Sequence, residues 1–348
     1  MMTDHKIFMT RCLELAKHGL GLVYPNPMVG CVIVHNGEII GEGWHQKAGS
    51  HHAEVNAINA VKRTDLLPES TLYVNLEPCS HYGRTPPCAD RIIKSGIKNV
   101  VIGSLDSNEK VSGKGVRRLR ENGIDVITPV LEDACVKLNR RFFTFHEKKR
   151  PYVILKWAQS KDGYIFPDKG TIDEGAPFWI SNSYSLQKVH QWRAEEAAIL
   201  VGKNTVLQDN PKLNIRHFTG NSILRIVIDR KLEIPQHMNF FDNSVETLIY
   251  NQVKEGKQGR LNYVKCDFDK DIVAQILNHL YSQEVQSLIV EGGSFTLNAF
   301  LEADLWDEAR VVEGQAYFGS GIKAPFLEEE VKGVDHLLHD NVFLYKRI

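Results

Sequence analysis

Ser50-His51-His52-Ala53-Glu54-Val55, followed by Pro78-Cys79 and, after eight intervening residues, Cys88, are the pieces that govern how this chain is read. One imidazole and two thiolates make three ligands for zinc. Zinc prefers four, and a catalytic site leaves the fourth place to water. Bound zinc lowers the pKa of that water from about 16 to roughly 7. Glu54, two residues beyond His52, is placed to move protons to and from it. Two positions on a regular helix diverge by about 200°, so His52 and Glu54 converge most easily at a helix entrance. The run Val55, Ala57, Ile58, Ala60, Val61 predicts the helix that they would open. Two blander readings stand beside this one. In the first, His51 is a fourth ligand and the zinc only staples loops. In the second there is no metal, and Cys79 and Cys88 are ordinary buried thiols.

H-x-E with a later P-C and a further cysteine is the ligand set of zinc deaminases that act on amino-substituted nucleobase rings. The gap between the cysteines here is eight residues rather than two. His52, Cys79 and Cys88 are therefore the candidate ligands, and Glu54 the candidate catalytic proton carrier.

Working outward, residues 4–18 have helical apolar spacing at Ile7, Phe8, Cys12, Leu15 and Ala16. Val29–Val34 and Glu38–Gly43 read as strands joined by the hairpin turn Asn36-Gly37. Strands are expected at Thr71–Leu76, Asn99–Gly103 and Ile124–Ile127, with helices at Ala89–Lys94, Gly115–Glu121 and Leu131–Phe145. A hairpin followed by alternating helices and strands implies a three-layered α/β domain. His146-Glu147-Lys148-Lys149-Arg150-Pro151 is a charged break, read as a solvated linker rather than a phosphate patch. The expected domains are 1–146 and 151–348.

The second half restarts with strand Tyr152–Trp157, helix Ser181–Trp192 and strand Ala197–Val201, after which Gly202-Lys203-Asn204-Thr205 opens a short helix. Strands follow at Ile223–Ile228, Thr247–Tyr250 and Ser287–Val290, then Glu291-Gly292-Gly293-Ser294 turns into helix Phe295–Leu301. Further strands are expected near Glu308–Val312 and Phe343–Tyr345. The two glycine turns lie between strand and helix, where backbone N–H groups suit an oxyanion. Plain strand-to-helix turns look the same, so the pattern alone gives this half no reaction.

Composition narrows the classes. Among 348 residues, 42 Lys and Arg balance 43 Asp and Glu, for a net charge of −1. That weighs against a nucleic-acid backbone as main partner. No apolar run approaches the roughly 20 residues of a membrane span, and the N-terminus lacks the apolar region of a signal peptide. A cytoplasmic protein is expected, with Cys12, Cys31, Cys135 and Cys266 as reduced core residues.

The longer motifs resemble one family. Pro25-Asn26-Pro27-Met28-Val29-Gly30-Cys31, Gly43-Trp44-His45, His52-Ala53-Glu54 and Glu77-Pro78-Cys79-Ser80-His81-Tyr82-Gly83-Arg84-Thr85-Pro86-Pro87-Cys88 are similar to the bifunctional riboflavin-biosynthesis deaminase–reductases. So are Lys156-Trp157-Ala158-Gln159-Ser160-Lys161-Asp162-Gly163, Asp209-Asn210-Pro211-Lys212-Leu213, Val227-Ile228-Asp229 and Glu291-Gly292-Gly293. The resemblance implies a cytidine-deaminase-like first domain holding one Zn2+ and a dihydrofolate-reductase-like second domain using NADPH. It implies small pyrimidine ribosyl phosphates as substrates, neither nucleic acid nor membrane as partner, and a homo-oligomer.

Carried over by motif, Asn26, His45 and Arg84 would contact the deaminase substrate, although Asn26 between prolines also reads as a turn residue. NADPH would run along Trp157, Trp179, Thr205, Asp209, Arg230 and the stretch Gly293, Ser294, Phe295, Thr296, Leu297, Asn298, Ala299. Arg193, Leu213, Arg216 and Glu291 would meet the reductase substrate, the two arginines suiting its phosphate and Arg230 the 2′-phosphate of the cofactor. Trp179 reads equally well as core. Three positions depart from the family pattern: Lys161 stands for an apolar residue, Asn210 for an aspartate and Asn214 for a threonine.

Overall fold

Alternation along one strand sets the layers of the first half. In β1 (Gly30–His35), Cys31 and Ile33 face one side of the sheet and Val32 and Val34 the other, as a two-residue repeat requires. The computed structural model describes residues 4–82, 86–107, 112–168, 180–215, 218 and 222–347, and the chain divides into two units, 1–149 and 150–348.

In the first unit, helix α1 (His5–Lys17) precedes β1, then β2 (Glu38–Trp44), α2 (Ala53–Ala60), β3 (Thr71–Leu76), α3 (Cys88–Ser95), β4 (Asn99–Ser104), α4 (Lys114–Glu121), β5 (Asp125–Ile127), α5 (Glu132–Leu138) and α6 (Arg140–Lys148). The sheet order is β2-β1-β3-β4-β5, antiparallel through β1 and parallel from β3 to β5. Asn36 and Gly37 both have positive φ, the conformation that a tight two-residue hairpin needs. On one face α1 packs Met9, Cys12 and Leu13 against Val32, Tyr73, Val101 and Cys135. On the other, α2, α3 and α4 bring Ala57, Ile58, Ile92 and Leu119 onto Ile33, Leu72, Val74 and Ile102. Each fully buried leucine or isoleucine here contributes about 1.5–3 kcal/mol. The result is the expected three-layered sandwich.

One expected element is different. The single helix anticipated over 131–145 is two, α5 and α6, broken at Asn139. The Asn139 side chain is recruited elsewhere: Met28 N–H donates to its Oδ1 at 2.8 Å, and its Nδ2 donates to the Met28 carbonyl at 2.9 Å. That tether outweighs an uninterrupted helix. Helix α6 also runs on to Lys148, so the break between the halves is shorter than the charge run suggests.

The second unit contains β6 (Tyr152–Gln159), β7 (Tyr164–Pro167), α7 (Ser183–Glu195), β8 (Ala198–Gly202), α8 (Lys203–Asp209), β9 (Leu224–Ile228), β10 (Thr247–Asn251), β11 (Gly256–Gln258) and β12 (Leu261–Lys265). It continues with α9 (Ile272–Ser282), β13 (Ser287–Val290), α10 (Ser294–Glu302), β14 (Glu308–Glu313), β15 (Gly321–Lys323), β16 (Val331–Leu337) and β17 (Asp340–Lys346). Its main sheet runs β11-β12-β10-β9-β8-β13-β6-β14-β17-β16. From β12 to β14 every pairing is parallel, and the margins β11, β17 and β16 are antiparallel. Helices α7 and α8 cover one face through Val189, Trp192 and Val206. Helices α9 and α10 cover the other through Ile276, Leu280, Leu297 and Phe300. Parallel strands buried on both faces read as continuous apolar runs, which is why β6, β8 and β13 were legible. The sequence reading missed β7, β11, β15 and β16, which are short or lie at margins, and β12, whose apolar positions are interrupted by Asn262 and Lys265. Cys12, Cys31 and Cys135 are core residues as expected, whereas Cys266 is only partly buried. Among the described residues no helix is long and apolar enough to cross a membrane.

Candidate functional site

Three separate elements deliver the ligand set. His52 is the N-cap of α2, Cys79 follows the end of β3, and Cys88 is the first residue of α3. Their ligand atoms lie within 4.8 Å of one another. His52 Nδ1 is 3.7 Å from Cys79 Sγ and 3.3 Å from Cys88 Sγ. Tetrahedral zinc, with its usual bond lengths to nitrogen and sulfur, separates such atoms by about 3.6 Å, so the donors fit that ion. His51 does not join them: it is exposed, and its carbonyl accepts from His45 Nδ1 and Asn56 Nδ2. Three ligands rather than four converge among the described residues.

Local chemistry favours the thiolate. Cys88 N–H donates to Cys79 Sγ at 3.3 Å, and Ala89 N–H donates to the Cys79 carbonyl, so the entrance of α3 faces this sulfur with its positive end. A hydrogen bond from Cys88 holds the Cys79 thiol well below its ordinary range, with help from His52 and against burial. Glu54 is buried, and its Oε2 has no hydrogen-bond partner. Burial raises its pKa. An unpartnered carboxylate oxygen beside three ligand atoms is what a proton carrier for a fourth, exchangeable ligand requires.

Two predicted substrate contacts come together next to this cluster. Asn26 Nδ2 lies 2.9 Å from His45 Nε2, and His45 Nδ1 lies 3.1 Å from the His51 carbonyl. These partners place the proton on Nδ1 and leave Nε2 as an acceptor; burial lowers the pKa and keeps the ring neutral. The His45 ring stands edge-on to His52, centroids 5.2 Å apart. Arg84 lies outside the described residues.

Sequence reasoning missed the side chains that hold this arrangement. Asn75, wholly buried in β3, accepts from Gly30 N–H and donates to the Met28 carbonyl. With Asn139 it clamps the backbone that follows Asn26. Glu77 accepts backbone N–H groups from Asp106, Gly113 and Val116 and so ties α4 to the residue before Pro78-Cys79. Gly115 makes that approach possible, since a Cβ there would sit 2.1 Å from the Pro78 carbonyl oxygen. The readable signal was a polar residue inside an apolar strand, as in Leu72-Tyr73-Val74-Asn75-Leu76. Because the ligands join separate elements, stripping zinc should lower the melting temperature of residues 1–149 by several degrees. The measurement is thermal unfolding with and without chelator; identical curves after full metal removal would contradict the assignment.

The second unit gathers a different set. Glu291 follows β13 and takes a bidentate pair of bonds from Arg193 at 2.7 and 2.6 Å. Lys156 of β6, absent from the predicted contacts, is 3.6 Å from the same carboxylate. Burial pushes Glu291 upward, but the charges of Arg193 and Lys156 outweigh it and hold the carboxyl at about 2. Arg193 thus commits its Nε and Nη2 to Glu291. Arg216 and Trp179 lie outside the described residues.

The two glycine turns sit side by side. Gly202 N–H donates to the Gly292 carbonyl, and Gly293 N–H to Thr205 Oγ1, both at 2.8 Å. A Cβ on Gly202 would lie 2.5 Å from Thr296 Oγ1, so a side chain there would displace that hydroxyl. The N-terminus of α10 carries no side-chain cap. Of the predicted stretch, Phe295 is exposed, Ser294 Oγ donates to the Lys323 carbonyl, Asn298 Nδ2 donates to Ser294 Oγ, and Leu297 is core. Ala299 is packed against that core. Trp157 is also core, its indole N–H bonded to Gln159. Asp209 ends α8, and Leu213 is buried just beyond it. Arg230 donates to Gln252, pairs with Asp269 and lies over Phe268.

The departures have locations. Lys161 is exposed, with its amine 6.0 Å from the Tyr317 ring centroid. Asn210 accepts at Oδ1 from Asn239 N–H, a bond that an aspartate would also accept. Asn214 Oδ1 is buried with no partner.

The chain matches two family models, the cytidine and deoxycytidylate deaminase zinc-binding region over residues 2–104 and the RibD C-terminal domain over residues 151–339. It is 39% identical to riboflavin biosynthesis protein RibD of Aquifex aeolicus, over 98% of both chains. It is 38% identical to that of Actinobacillus pleuropneumoniae, over 96% of this chain and 90% of the relative. Among solved structures, the diaminohydroxyphosphoribosylaminopyrimidine deaminase/5-amino-6-(5-phosphoribosylamino)uracil reductase of Thermotoga maritima superposes with a TM-score of 0.89 at 37% identity, covering 99% of each chain. RibD of Acinetobacter baumannii gives 0.88 at 32%, covering 98% of each.

Proposed function

The chain belongs to the RibD family of riboflavin biosynthesis proteins, and from that premise we propose how its residues divide two consecutive reactions. It is a bifunctional enzyme. One reaction hydrolytically deaminates 2,5-diamino-6-ribosylamino-4(3H)-pyrimidinone 5′-phosphate. The other reduces the ribosyl group of the aminouracil product to ribityl with NADPH. We assign the first to residues 1–146 and the second to 151–348. The observation that carries the first assignment is the unpartnered Glu54 Oε2 beside three convergent zinc donors.

His52, Cys79 and Cys88 would hold zinc, which would supply Lewis-acid activation of the hydrolytic water. Glu54 takes the water proton and delivers protons to the ring nitrogen and the departing amine. A C–O bond forms, a C–N bond breaks, and ammonia leaves. Asn26 presents its amide to the ring edge, fixed by His45, and Arg84 takes the 5′-phosphate.

In the second unit bound NADPH would supply the hydride that C1′ of the sugar accepts. The bond from C1′ to the ring oxygen opens, and that oxygen gains a proton. The chain's part is mainly orientation. The uncapped start of α10, at Gly293 and Ser294, meets cofactor phosphate, with Thr205 bracing the turn. Arg230 meets the 2′-phosphate. Glu291, held by Arg193 and Lys156, faces the sugar hydroxyls, while Leu213 and Arg216 border the substrate. The substrates are small pyrimidine ribosyl phosphates, and we take the enzyme as a cytoplasmic homo-oligomer.

The test is a two-stage assay. The diaminopyrimidine substrate alone should release one ammonia per molecule. Adding NADPH should then oxidise one cofactor per deaminated product. Ammonia without NADPH oxidation would leave the second unit as a nucleotide-binding or scaffolding domain.

A further inference from the structure

Beyond the reductase contacts proposed above, a buried arginine against the 209–215 arm has no role in them. Arg225 of β9 is 1% exposed. Its guanidinium donates to the Lys212 carbonyl at 3.2 Å, to the Asn239 carbonyl at 3.4 Å, to Thr247 Oγ1 at 3.2 Å and to Asp242 Oδ1 at 2.7 Å. It also lies over the Phe240 ring. One side chain therefore grips the arm immediately before Leu213 and, with the same nitrogen, the segment at Asn239.

A second clasp joins the same two segments. Asn239 N–H donates to Asn210 Oδ1, and Asn239 Nδ2 donates to the Asn210 carbonyl, both at 2.8 Å. The arm adopts a left-handed backbone at one clasp, φ 41° at Asn210, and just beyond the other, φ 47° at Leu213. Asparagine enters this region readily at a helix end, as Asn210 does after α8, but for a bulky residue such as Leu213 it is costly. Such a conformation persists only where its surroundings over-determine it. Arg225 and the Asn210–Asn239 pair supply that determination.

We propose that Arg225, with the Asn210–Asn239 pair as second anchor, is the positioning element that sets where the arm presents Leu213 to the reductase substrate. The inference rests on the reading of Leu213 as a substrate contact. It also accounts for Asn210: the clasp uses only a carbonyl-type acceptor and the main chain, so the family's aspartate and this asparagine are equivalent there.

The test compares four full-length variants in the NADPH-dependent reduction of the aminouracil ribosyl phosphate, with ammonia release and thermal melting as folding controls. Arg225→Lys keeps a charge for Asp242 but cannot span three acceptors. It should raise KM about tenfold with kcat changed less than about threefold, since an ångström of misplacement costs that much or more. Asn210→Gly tolerates the left-handed backbone but loses the side-chain acceptor, and should raise KM about threefold. Asn210→Asp should behave as wild type. Leu213→Ala should raise KM at least as much as Asn210→Gly. A merely structural role for Arg225 would lower the melting temperature and leave KM alone. If Leu213→Ala raises KM while Arg225→Lys and Asn210→Gly do not, the anchor inference alone is overturned. If Leu213→Ala has no effect, the arm is not a substrate contact and both fall. Should Arg225→Lys fail to fold, the Asn210→Gly and Asn210→Asp pair decides.

Discussion

Replacing Glu54 by glutamine is expected to cut ammonia release by about a thousandfold or more and to leave NADPH oxidation with pre-formed aminouracil substrate unchanged. The substitution keeps the size of the side chain and its buried position at the start of α2. It removes only the capacity to accept and return a proton, a function worth about 10²–10⁴ in rate. Here one group serves the attacking water, the ring nitrogen and the leaving amine, which puts the expectation at the upper part of that range. The buried Oε2 has no hydrogen-bond partner, and glutamine keeps an acceptor oxygen for the bonds that the rest of the carboxylate makes. Melting should therefore change little, which separates this variant from one that merely loosens the site. Ammonia release at the wild-type rate would mean that Glu54 is not the proton carrier.

The second large effect concerns Glu291. Changing it to glutamine leaves Arg193 and Lys156 as buried cations without their shared counter-charge. Breaking one side of a buried pair costs about 3–5 kcal/mol. We expect a lower melting temperature for residues 150–348, at least a hundredfold loss of reductase turnover, and an unchanged rate of ammonia release. The wild-type carboxyl, held at about 2 against an ordinary 4.5, adds a pH signature. A depressed carboxyl contributes stability that is fully present above the unfolded value. That contribution is then lost as pH falls from about 4.5 towards 2. Its size is about 3 kcal/mol. Acid unfolding followed in both proteins would show it: the wild type loses this increment between those values and the glutamine variant has none to lose. A variant that reduces substrate at the normal rate would remove Glu291 from the proposed site.

Much of this was readable without coordinates, for identifiable reasons. A ligand needs its own side-chain type, so His52, Cys79 and Cys88 stand out in the linear sequence and converge in space. The buried parallel strands β6, β8 and β13 carry unbroken apolar runs and were placed to within two residues. What escaped depends on the third dimension. Asn75 and Lys156 are single polar residues in apolar strands, and nothing local says that one clamps Met28 while the other meets Glu291. The break at Asn139 comes from a partner far away in sequence. β16 alternates weakly because it lies at a sheet margin with most of its residues exposed. Nor does the linear sequence show that Arg193 pairs with a carboxylate almost a hundred positions later.

The forked bond between Arg150 and Asp307 bears on any attempt to divide the gene. Arg150 donates to both oxygens of Asp307, at 2.6 and 2.8 Å, and both side chains are nearly enclosed. Asp307 also receives Val153 N–H at the first step of β6. The last basic residue of the charged run thus belongs to the downstream half by structure. A coding boundary drawn after it would strip that half of the cation closing its first strand, whereas one drawn ahead of it would hand over the strand with its clasp complete.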